Sequence, residues 1–86
     1  MPNYTLKLQQ IDELLKELND KKASLLEDEN SLEEEARANP EEFYVDEYKV
    51  EALGICLYEI EKCEKSISVL EKKREKLLAK INVKKR

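Results

Sequence analysis

Two side chains in this sequence could act as nucleophiles or bind a soft metal: Cys56 and Cys63. They are seven residues apart, which on a helix puts both on one face and about 10.5 Å apart along the axis. A disulfide needs Cα atoms within roughly 7 Å, so they cannot bridge each other inside an intact helix. A reactive thiol needs a neighbour that stabilises the thiolate, and the usual one is missing, because the chain has no His. Both fall on an apolar stripe, where Cys acts as a small hydrophobe. The lack of His also removes the commonest general base and metal ligand. Carboxylates are plentiful, but none forms the Glu-x-x-His pairing of bundle metal sites. Gly54 is the single glycine and cannot make a phosphate-cradling loop. The expectation is a protein that is not an enzyme and takes no metal or other cofactor.

The elements that carry these residues are organised about Asn39-Pro40-Glu41-Glu42. Asn is a good N-cap, and Pro loses nothing at the first helical position. Glu42 stands three after the cap, where a carboxylate can reach back to the cap's amide and meet the positive end of the helix dipole. The segment ends one helix and begins another. The second helix starts either at Pro40 or at Asp46, which is also a good cap. The predicted fold is all-α: two long helices in an antiparallel, coiled-coil-like hairpin that pairs into a bundle. Its parts are a helix over 5–38 capped by Thr5, a turn over 39–46, a helix over 46–82 and a basic tail over 83–86. Residues 1–4 are expected to fray. Helices of these lengths give a rod of about 50 to 65 Å.

Two seams support this reading. The first is Leu8, Ile11, Leu15, Leu18, Lys22, Leu25, Glu29, Leu32, Ala36; the second is Leu53, Cys56, Ile60, Cys63, Ile67, Leu70, Arg74, Leu77, Ile81. Alternating steps of three and four keep each stripe on one side of a helix. Leu14 and Leu26 widen the first, and Val50, Leu57 and Leu78 flank the second, so each helix has apolar surface for more than one neighbour. Lys22 and Glu29 interrupt the first seam. The favoured reading has Lys22 laying its methylenes along the groove with its ammonium in water; the other has it selecting register or partner. Phe43, Tyr44, Val45 and Tyr48 cluster at the turn, either as a plug closing the hairpin or as an exposed patch for another chain. Gly54 either permits close approach of a helix or is merely tolerated, at about 1 kcal/mol relative to Ala.

The chain has 86 residues, 42% charged and 41% apolar, a mix typical of long helices and coiled coils. No stretch approaches the roughly 20 apolar residues of a membrane span. The opening residues have no basic segment followed by an apolar core, so no secretory signal is expected. Two Cys in a chain of this kind imply a reducing compartment, and the expected location is cytoplasmic. The net charge of −4 is uneven: residues 1–44 carry five basic and twelve acidic side chains, residues 45–86 eleven and eight. The turn end is acidic and the open end basic. Glu33-Glu34-Glu35 read as a solvated face, with an acidic tip for a basic partner as the sharper option. The basic tail could touch phosphates, but it lacks interleaved aromatics, and nucleic acid is not expected as a partner.

Pro40-Glu41-Glu42-Phe43, then six residues, then Val50-Glu51-Ala52-Leu53, resembles a stretch in the small helical-hairpin co-chaperones of type III secretion needle subunits. The resemblance covers residues 40–53. It implies pairing with a helical-repeat chaperone and keeping a needle subunit soluble in the cytoplasm, with Phe43, Tyr44, Tyr48 and the second-helix stripe as contact surface.

A two-helix rod buries one stripe per helix, and scaffolds this thin need further support. The expected function is therefore a non-enzymatic interaction module, a small chaperone or adaptor that covers its apolar stripe with partner helices from another protein or from a second copy in a homodimer. The expected contact residues are Phe43, Tyr44, Tyr48, Val50, Leu57, Leu14 and Leu26. The alternative is an acidic helical inhibitor or binder of a nucleic-acid-processing enzyme.

Overall fold

The computed structural model describes residues 3–84, and of Lys84 the backbone alone; within it every residue but Asn3, Asn39 and Asp46 is helical. Helix α1 spans Tyr4–Ala38, α2 Pro40–Val45 and α3 Glu47–Lys84. α1 and α3 pack against each other, and α2 joins them at one end. The result is an all-α antiparallel hairpin of 64 × 17 × 14 Å, at the long end of the predicted range. Every residue of both seams is buried or half-buried, so the three-four spacing does set which side of each helix turns inward. No helix among the described residues is long and apolar enough to cross a membrane.

The ends differ from the sequence expectation in instructive ways. α1 is capped by Asn3, not Thr5: the Leu6 amide donates to Asn3 Oδ1 at 2.9 Å. Both residue types cap well, but starting at Tyr4 puts its ring in step with Leu8 and Ile11, where it is half-buried and lies 5.9 Å from Lys80 Nζ. α3 does not stop at Asn82 but continues to Lys84. Of residues 1–4, expected to fray, Asn3 and Tyr4 instead cap and begin α1; Met1, Pro2 and the remainder of the predicted basic tail lie outside the described residues.

At the turn both predicted starts occur, because the chain breaks twice. A residue before proline is disfavoured in the α region, and Asn39 sits at φ −138°, ψ 72°. The predicted capping box does not form. The Asn39 amide closes α1 by donating to the Glu35 carbonyl at 3.0 Å, which leaves nothing for Glu42 to accept. The Asn39 side chain makes no cap bond either; the Asn39 backbone carbonyl accepts from the Phe43 amide at 2.9 Å. The second break is at Asp46, in extended conformation. Its carboxylate accepts from the Tyr48 and Lys49 amides at 3.0 and 3.3 Å and so caps α3.

The core is slight. Its buried members are Ala36, Phe43, Cys56, Ile60, Cys63 and Ile67. Toward the open end Leu8, Ile11, Leu70, Leu77 and Ile81 are half-buried. The accessible surface is 6902 Å², against about 5,300 Å² for a compact monomer of this mass. Gly54 faces open space: a Cβ there would meet nothing within 4 Å, so close helix approach does not explain it.

Candidate partner-binding surface

Six of the seven sequence-predicted contact residues are on the surface, and Phe43 is not. Phe43 is 1% exposed, whereas Tyr44 is 64% and Tyr48 85% exposed. Helical geometry separates neighbours at positions 43 and 44 by about 100°. One ring plugs the hairpin end and the next, 5.3 Å away and edge-on, stays outside. The aromatic cluster is thus plug and patch at once. As a contact residue Phe43 is a correction: it holds α2 in place and offers no surface.

Apart from Leu6 and Tyr58, which face outward opposite the seam, and Val45 in α2, the exposed apolar residues fall on the two sides of the seam. Leu26 follows the seam residue Leu25, and Leu57 follows Cys56; in an antiparallel pair, positions one past such seam residues share a side. Val50 is seven before Leu57. Glu33 lies on the same side and lines a cleft with Tyr44, Arg37 and Leu53. This leucine flank therefore joins Leu26, Leu57, Val50 and Tyr44 near the turn. The opposite side, the groove flank, holds Leu14 and has open apolar grooves along it. Val69 and Leu70 line one with Leu14 and Leu18; Ile55 and Ala52 line another with Leu25 and Leu32. Tyr48 is seven before Ile55 and belongs here. Ile55, Tyr58, Val69 and Val83 are exposed and were not among the residues picked out from the sequence. The signal was present, since Tyr48, Ile55, Val69 and Val83 stand at multiples of seven, off the main seam.

Charged residues tie the helices together. Lys22 Nζ lies 3.6 Å from Glu64 Oε1, and Arg74 Nε donates to Asp12 Oδ1 at 2.6 Å. Lys22 thus sends its ammonium across to the other helix, whereas the favoured expectation leaves it in water. Lys21 pairs with Glu59 at 3.4 Å, and Lys49 with Glu35. All these pairs are substantially exposed, and such pairs contribute about 0–1 kcal/mol each. Their effect is on register: a seven-residue slip would set Arg74 against Thr5 or Asn19, which carry no charge. The Lys49 pKa is raised, first by its hydrogen bond to Glu35. Among the described residues Glu29 enters no ion pair. Burial raises its pKa, and Glu33, which hydrogen-bonds to it, and Glu64 add to the shift.

Both thiols are free and buried. Cys56 Sγ donates to the Leu25 carbonyl at 3.0 Å. Burial raises its pKa, and Asp28 and Glu29 push the same way, so the thiolate is disfavoured on every count but one backbone hydrogen bond. Among the described residues no group of three or more His, Cys, Asp or Glu could hold a metal ion.

The fold and its surface define a helical hairpin with unsatisfied apolar flanks. No protein-family model, curated protein or solved structure matches the chain.

Proposed function

We propose that this chain is a non-enzymatic helical interaction module, a small cytoplasmic chaperone or adaptor that works by packing partner helices onto its apolar flanks. The observation that carries the reading is the contrast, among the described residues, between six buried core residues and twelve large hydrophobics left exposed, Leu14, Leu26, Tyr44, Val50 and Leu57 included. Exposed apolar surface organised in stripes and rimmed by charge marks a protein-binding face. The leucine flank with Tyr44 is the surface offered to a foreign helix. The type III secretion needle co-chaperones are the specific family within this class that the turn resemblance favours.

The test is co-purification from the native cell at low salt and at about 0.5 M salt, where exposed charge pairs are screened. The expected result is a stoichiometric complex that survives high salt and is lost with Leu26→Ser, Leu57→Ser and Tyr44→Ser combined. Loss of the complex in salt alone would favour the charged-inhibitor alternative. A chain that keeps no companion at either salt, and melts cooperatively as a monomer at high temperature, overturns the reading.

A further inference from the structure

We infer that the occupant of the groove flank is a second copy of this chain, laid antiparallel about a two-fold axis near mid-rod, so that the turn end of each protomer covers the open end of the other. The inference rests on the reading above that the chain works through helix packing, and it assigns one flank to self-pairing while the leucine flank stays free.

Charge argues for this orientation. The groove at the open end has a floor of Ile11, Leu14, Leu70 and Leu77 and a rim of Lys7, Lys73, Lys76 and Lys80, with no carboxylate lining it. Among the described residues, Lys7, Lys73 and Lys76 enter no ion pair. The turn end carries Asp28 on the same flank, and Glu41 and Glu42 in α2. Parallel pairing would set lysines on lysines; antiparallel pairing sets them against carboxylates, and like-charge juxtaposition is what excludes wrong arrangements.

The stripes are also self-complementary. On α3 the groove flank reads Tyr48, Ile55, Lys62, Val69, Lys76, in steps of seven. A two-fold axis at Lys62 brings Ile55 over Val69 of the second copy and Tyr48 over Lys76, an apolar pair and a cation–π pair. On α1 the steps are Lys7, Leu14, Lys21, Asp28, Glu35. The axis then falls at Lys21, which sets Lys7 opposite Glu35, itself paired with Lys49, and Leu14 opposite Asp28, so on α1 one pair is complementary and one is not. The like charges that meet at the axis are already engaged: Lys21 pairs with Glu59, and Lys62 Nζ sits 5.8 Å from the Tyr58 ring.

The area suffices. A side of the rod is 64 Å by 14 Å, about 900 Å² in projection, and a stable interface takes about 800 Å² per partner.

The experiment uses the purified full chain. Sedimentation should give a dimer, and Val69→Asp should weaken it by on the order of tenfold or more, while Leu57→Asp on the other flank should not. Position 69 is 52% exposed, so the helix tolerates the change; Val69→Gln, checked for helix content, serves if it does not. Orientation is read by mild oxidation: Val69→Cys mixed with Ile55→Cys should cross-link, and neither alone should. A monomer at every concentration overturns the inference, yet a monomer that still binds a foreign helix leaves the proposed function standing. Cross-linking of either variant with itself overturns the antiparallel arrangement, and a dimer broken by Leu57→Asp but not Val69→Asp overturns the choice of flank.

Discussion

Replacing Phe43 by Ala tests whether the hairpin end is held by one side chain. Among the described residues Phe43 is the only large side chain that is fully buried, and it sits in a helix of six residues. A helix that short does not hold itself in water, and the Asn39 side chain does not cap it. Core Phe→Ala changes cost about 3–5 kcal/mol, less where the surroundings can collapse. At the end of a rod α2 can unwind into the gap, so the lower bound of about 3 kcal/mol applies. A chain of 86 residues has a total stability of about 4–13 kcal/mol. The loss is a large share of that and lowers Tm by about 12–24 °C. The assay is thermal and urea unfolding by far-ultraviolet circular dichroism, at one fixed protein concentration because self-pairing would make Tm concentration-dependent. Tyr44→Ala is the control: it touches the same ring but is exposed, and surface changes stay within about 0.5 kcal/mol. A Phe43→Ala chain within about 1 kcal/mol of that control would refute the assignment of Phe43 as the plug.

Three other outcomes follow from particular residues. Asp46→Ala leaves the Tyr48 and Lys49 amides without their acceptor and should cost about 1 kcal/mol in the same melts, with Asp46→Asn close to wild type. Gly54→Ala should stabilise the chain by about 0.5–1 kcal/mol, because α3 gains a better helix former and the added methyl has room; destabilisation would mean that the face at Gly54 is covered by a neighbour. Glu29 holds its proton more tightly when folded, so it disfavours the fold above its folded pKa and is neutral below the ordinary value of 4.5. Glu29→Gln should therefore be more stable than wild type at neutral pH, with the difference vanishing as pH falls below about 4; a constant difference across pH would show that charge is not the cause.

Most of the fold was legible because a helix reports its inward side through spacing alone. Leu8 to Ala36 and Leu53 to Ile81 needed no tertiary information to be placed. The turn was harder. Asn39 has the right type for a side-chain cap, but its backbone amide can serve either α1 or Glu42, and nothing local decides which. Phe43 and Tyr44 are chemically alike, and only the direction of α2 separates plug from patch. Asn3 and Thr5 are equal as caps until Tyr4 is seen lying beneath Lys80. Ile55 and Val69 were missed because they stand off the seam, where an apolar residue gains meaning only once the grooves between the helices exist.

Cover is graded along the rod: among the described residues the six buried side chains lie from 36 to 67, and toward the open end the seam is only half-covered. Opening fluctuations should therefore start at the lysine-rich end, with amide hydrogens near Ile11 and Leu77 exchanging far sooner than those near Cys63. A protease would clip there first, so this end depends most on whatever docks over it.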